Sequence, residues 1–166
     1  MAREIKTPNA FQKFIHRFLM LKPASAFLAR VLHHADAFML YITNNKHTFA
    51  KLVGFPIIQI TTIGAKTGLP RVILLVGIVD RDNSIALIGS NFGRLHNPGW
   101  YYNLKAHPEC ETLFNGRLGK YVAREAEGDE YDHYWKMALS YYAGYAKYKE
   151  RASHRHIPVM VLEPKK

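Results

Sequence analysis

Three stretches of this 166-residue chain carry side chains whose types and spacing suit chemistry. Between Ile60 and Arg71, Gly64 and Gly68 bracket a short connection that holds Lys66, Thr67 and Arg71. Glycines let a turn present successive backbone N–H groups, and a lysine, a hydroxyl and an arginine add charge and donors, so the stretch reads as a phosphate cradle. The same residues also read as an ordinary basic hairpin turn kept soluble by its charges. Gly89-Ser90-Asn91-Phe92-Gly93, followed by Asn97-Pro98-Gly99-Trp100, puts small polar residues just before a helix start, where free N–H groups and a dipole end can receive a ligand. Trp100 suits core packing and contact with a flat ligand equally. Tyr141, Tyr142, Tyr145 and Tyr148 recur near helical spacing and offer aromatic faces with a proton donor each. Tyr141 reads as part of an amphipathic face.

Other chemistries find little footing. The single cysteine, Cys110, rules out an internal disulfide or a CxxC pair, and a reducing cytoplasm fits it best. The nine histidines form no ligand spacing, since His33-His34 are adjacent and His154/His156 lack an obvious carboxylate, so no metal site is predicted. With no GxSxG serine, no GxGxxG and no Walker motif, any catalysis here falls to a bound cofactor.

The elements that must position these residues follow from periodicity. Thr7-Pro8 opens a helical stripe of Phe11, Phe14, Ile15, Phe18 and Leu19, and a second follows Pro23 with Phe27, Leu28, Val31, Leu32, Phe38, Met39 and Ile42. Strands are predicted over 55–63, 71–79 and 84–90, a short helix from Asn97-Pro98 to before His107-Pro108, and a hairpin at 111–114 and 118–125 around Asn115-Gly116. A long amphipathic helix carrying Tyr131, Tyr134, Trp135, Ala138 and Tyr142 breaks near Gly144, and a last strand spans 158–162. Meander hairpins without regular βαβ alternation point to an antiparallel barrel or sheet with helices packed on it.

The formal charge of +10 implies an anionic partner. Residues 1–54 hold eight Lys and Arg against Glu4 and Asp36, so this stretch is read as a distinct N-terminal helical extension before a barrel domain at 55–166. Lys13, Arg17 and Lys22 opposite the Phe11–Leu19 stripe predict peripheral membrane contact through residues 1–22. Lys13, His16 and Arg17 interrupt a signal-peptide core, and no stretch approaches the ~20 apolar residues of a membrane span. A nucleic-acid binder ranks last, for want of an RNP-like or helix-turn-helix pattern.

Five motifs in order, Thr61-Thr62-Ile63-Gly64-x-Lys66-Thr67-Gly68-x-Pro70-Arg71, Gly89–Gly93, Asn97-Pro98-Gly99-Trp100-Tyr101-x-Asn103-Leu104-Lys105-Ala106-x-Pro108, Tyr142-Ala143-Gly144-Tyr145, and Ile157-Pro158-Val159 through Leu162-Glu163-Pro164, resemble the deazaflavin (coenzyme F420)-dependent nitroreductase family. The resemblance covers about residues 55 to 164. It implies an α+β split β-barrel, like the flavin-mononucleotide-binding barrels, that uses polyanionic coenzyme F420, with FMN as the alternative cofactor. It implies a reductase passing hydride to a small electron acceptor (a quinone, nitroaromatic or activated alkene), the alternative being a non-catalytic deazaflavin or flavin carrier. Carried over, Lys66, Thr67 and Arg71 would hold the phosphate and tail, and Ser90 and Asn91 would approach the ring system. Pro98 with Trp100 would shape the pocket wall. Tyr142, Tyr145 and Tyr148 would face the substrate, Tyr142 as the proton donor.

Overall fold

A computed structural model describes residues 56–80 and 82–165. The predicted N-terminal helices and the membrane-facing residues 1–22 lie outside the described residues.

Six antiparallel strands, β1 (Ile57–Ile63), β2 (Pro70–Val79), β3 (Ile85–Ile88), β4 (Glu109–Phe114), β5 (Arg117–Glu125) and β6 (Val159–Pro164), close into a barrel in the order β1-β2-β3-β6-β5-β4. β1 shows why closure works. Its side chains alternate strictly, with Ile58, Ile60 and Thr62 buried and their neighbours half-exposed, as a strand with one wet face requires. The predicted Asn115-Gly116 hairpin is present, with φ of 51° and 77°, the double positive φ of a type I′ turn.

Three helices complete the described chain: α1 (Gly99–Ala106), α2 (Gly128–Tyr141) and α3 (Gly144–Arg151). They divide the apolar residues into two cores. Ile58, Ile60, Ile85, Leu87, Met160 and Leu162 fill the barrel, joined by Trp100 and Leu104 of α1. On the outside of the same wall, Ala86, Ile88, Val159 and Val161 pack under Trp135 and Ala138 of α2 and the tyrosines of α3. β3 is therefore buried on both faces and β6 over its first four residues, which is why 85–88 and 159–162 read as continuous apolar runs.

Candidate functional site

The β1–β2 turn is folded by its own backbone. The amides of Thr67 and Gly68 donate to the Gly64 carbonyl at 3.2 and 2.8 Å, and the Gly64 amide donates to the Leu69 carbonyl at 2.9 Å. The Leu69 amide reaches Thr67 Oγ1 at 3.4 Å. Gly68 takes φ of +66°, which its missing Cβ permits. The expectation of successive free N–H groups is thereby corrected, since turn closure and Asn103 use five of them. What the turn presents is side-chain charge. Lys66 and Arg71 are exposed and form no ion pair with a described residue, whereas Lys105, Lys147 and Lys165 each face a carboxylate.

Asn103 on α1 ties this turn to the barrel, and motif spacing had assigned it no role. Its Oδ1 accepts from the Ala65 amide at 3.0 Å, while its Nδ2 donates to the buried Thr62 hydroxyl at 3.0 Å. α1 is itself anchored by Trp100, only 6% exposed and packed in the barrel core. Burying such a ring stabilises by about 1.5–3 kcal/mol, which holds α1 in place. Pro98, half-buried, is the N-cap of α1 and caps with no side-chain bond. Asn97, where the sequence opens this helix, instead turns its Oδ1 to Arg155.

The β3–α1 connection is strained. Ser90 is in the right-handed region, after which Asn91 (φ 46°), Phe92 (φ 57°) and Gly93 (φ 76°) run left-handed in succession. Left-handed backbone costs a non-glycine residue roughly 1–2 kcal/mol, so two in a row persist only where surroundings impose them. The surroundings are α3 and Arg155. Phe92 meets the Tyr148 ring edge-on at 5.8 Å, and a Cβ on Gly93 would lie 2.6 Å from Arg151 Cβ. Arg155 donates to the carbonyls of Ser90 at 2.8 Å, Arg94 at 3.0 Å and Gly89 at 3.4 Å. Sequence reading passed over Arg155; only the fold brings it to residues 58 to 66 positions earlier.

Tyr142, Tyr145 and Tyr148 come together. They are 6%, 7% and 5% exposed, with ring centroids 5.7 to 6.1 Å apart. The chain leaves helix at Tyr142, and α3 restarts at Gly144, where a Cβ would collide with the Tyr142 ring at 2.1 Å. The glycine thus lets the ring fold over the break. The hydroxyls of Tyr142 and Tyr148 lie 3.3 Å apart. Burial pushes all three phenols above their ordinary value of 10, so each stays a neutral hydrogen-bond donor across physiological pH. Tyr141 packs half-buried against the same cluster, as its amphipathic reading required.

The remaining chemical groups stay apart from these stretches. Cys110 is buried, its thiol pushed up to about 12 by desolvation, which makes it unreactive. His154 contacts the Leu95 carbonyl at 3.1 Å. Contrary to the sequence reading, His156 does have a carboxylate nearby, Glu125 at 3.9 Å.

A closed antiparallel barrel with helices on one wall, a cationic turn and a strained loop flanking the helix that plugs it, defines the split β-barrel class of cofactor-binding proteins. Within that class, the F420H(2)-dependent quinone reductase family matches residues 35–164, and the chain belongs to this family. The match begins within the stretch assigned to the N-terminal extension. F420H(2)-dependent quinone reductase Rv1261c of Mycobacterium tuberculosis is 34% identical over 110 residues, covering 64% of this chain and 72% of its own. Among solved structures, F420-H2 dependent reductase FDR-A superposes with a TM-score of 0.59 at 37% identity, over 65% of this chain and 94% of its own. A domain-swapped dimer superposes at 0.61 with 31% identity, over 84% and 96%. The protein is an F420-dependent reductase.

Proposed function

We propose that this reductase acts on a quinone, with nitroaromatics and activated alkenes as further acceptors, and that its site lies along α1 between the β1–β2 turn and the tyrosine cluster. The observation that carries the proposal is the exposed pair Lys66 and Arg71, unmatched by any described carboxylate on a turn braced to α1. Two cations without a described carboxylate partner and the Thr67 hydroxyl suit a phosphate with a carboxylate tail, so the donor set fits coenzyme F420 better than FMN, which has no such tail.

When bound, the reduced deazaflavin supplies a hydride. The chain's residues then do the rest. Lys66, Thr67 and Arg71 hold the anionic end, Ser90 and Asn91 meet the ring system, and Pro98 with the Trp100-anchored α1 limits the wall. Tyr142, Tyr145 and Tyr148 face the acceptor. A quinone or nitro group that receives hydride gathers negative charge on oxygen, and the Tyr142 hydroxyl, backed by that of Tyr148, donates a hydrogen bond to it.

The test follows oxidation of F420H2 by menadione through cofactor absorbance. The expected rate is protein-dependent and saturable in menadione. A rate no faster than without protein would overturn the reductase reading in favour of a carrier. Peripheral membrane contact through residues 1–22 belongs to the same proposal; no helix among the described residues is long and apolar enough to cross a membrane. Reversing Lys13, Arg17 and Lys22 to Glu should abolish co-sedimentation with anionic liposomes, and unchanged sedimentation removes this part.

A further inference from the structure

Arg155 follows α3 and is half-buried. Its guanidinium meets the carbonyls of Gly89, Ser90, Arg94 and His156 and the side-chain oxygen of Asn97. None of these acceptors is a carboxylate. An arginine leaving water ordinarily takes an anionic partner whose fork matches its own. Among the described residues only neutral dipoles meet it, and four of the five belong to one stretch, 89–97.

Every described peptide bond is trans, so the C=O of one residue and the N–H of the next point to opposite sides of the peptide plane. Capture of the Gly89 and Ser90 carbonyls by Arg155 therefore turns the N–H groups of Ser90 and Asn91 away from it. Ser90 right-handed followed by Asn91 left-handed is the alternation that makes successive N–H groups converge on an electronegative atom. Neither N–H donates to a carbonyl of another described residue.

We infer that Arg155 is a positioning residue for the reaction: a clamp on backbone carbonyls that holds the Ser90 and Asn91 N–H donors at the hydride-transfer site without touching cofactor or acceptor. The inference rests on the proposed placement of the cofactor ring at this loop. The charge of Arg155, with no counter-anion among the described residues, also lies directly behind those two peptide groups and strengthens their donation.

Arg155→Gln removes the fork and the charge, and Arg155→Lys keeps the charge but cannot reach all the acceptors. The measurement is amide hydrogen exchange by peptide, on the full chain with and without F420, alongside kcat and KM for menadione. In cofactor-free protein, both variants should exchange about tenfold faster or more across 89–97, with β1, β4 and β5 unchanged. kcat should fall by about tenfold or more, less in the lysine variant, with KM for menadione changed by under about threefold. Asn97→Leu, which removes one arm of the clamp, should give a smaller acceleration confined to the same stretch and serves if the arginine variants fail to fold. Unchanged loop exchange and kcat in the variants that fold would overturn the clamp, and so would acceleration spread evenly over the barrel. If F420 fails to slow exchange at 89–97 in the wild-type chain, the cofactor's placement falls instead, while the cofactor-free comparison still decides whether Arg155 holds the loop.

Discussion

The two connections beside α1 are held in opposite ways. The β1–β2 turn is closed by hydrogen bonds among its own six residues, needs one positive φ, at a glycine, and leaves its cations outward. The β3–α1 loop runs three consecutive left-handed residues, two of them not glycine, and is kept there by Arg155, Tyr148 and Arg151 from a distant part of the chain. A charge-presenting turn can be a local device, because charge needs only exposure. Aimed backbone donors need an external brace, because local conformational preference opposes them.

The sharpest break of this comparison is Gly93→Ala. The new methyl would lie 2.6 Å from Arg151 Cβ and 3.0 Å from the Tyr148 carbonyl, at φ of +76°. Denaturant unfolding should show a loss of about 3–4 kcal/mol, since strain and overpacking add. The β1–β2 turn should respond in binding and not in folding. Lys66→Ala and Arg71→Ala are each expected to weaken F420 binding by about 1–3 kcal/mol, read by fluorescence quenching, with stability within about 0.5 kcal/mol of wild type. Unchanged affinity in both would remove the cradle.

Tyr142→Phe keeps the ring that packs over Gly144 and removes only the hydroxyl. kcat/KM for menadione should fall by roughly tenfold, about 1.4 kcal/mol, with cofactor affinity retained. Loss of cofactor binding or of Tm with turnover per folded site unchanged would make Tyr142 a packing residue. The same burial carries a pH signature. The folded phenols of Tyr142, Tyr145 and Tyr148 sit above the unfolded value of 10, so above that pH the unfolded chain releases protons that the folded chain keeps. Their contribution is complete below pH 10 and is lost as pH rises beyond it. Tyrosinate absorbance should therefore appear in step with alkaline unfolding; early, reversible ionisation of all three would contradict their burial. The smallest effect is expected from Gly68→Ala, where φ is +66° but nothing lies within 4 Å, at about 1 kcal/mol. A loss equal to that of Gly93→Ala would erase the contrast between the two connections.

Much of this was legible in the residues themselves. The period-2 alternation of β1, the Asn115-Gly116 turn, the helix stop before His107 and the break near Gly144 are encoded within a few neighbours, and each stands where the pattern puts it. The sequence pattern opened α1 at Asn97-Pro98, but Asn97 turns to the Arg155 guanidinium and the N-cap falls on Pro98. The amides of the cradle turn were misread for a similar reason: glycine permits exposed N–H groups, but turn closure and Asn103 use them.

By itself, the sequence determined the strands, the charge of the 64–71 turn and the grouping of tyrosines at a helix break, because these depend on side-chain period, glycine placement and charge within about ten residues. The tertiary structure alone decided which groups hold them. Arg155 meets a loop 58 to 66 residues away, Asn103 braces a turn 38 residues away, and Tyr148 supports Phe92 across four intervening elements. Local rules carry no information on such contacts, since barrel closure and the packing of α3 against the β3–α1 loop bring the partners together only after distant strands have paired.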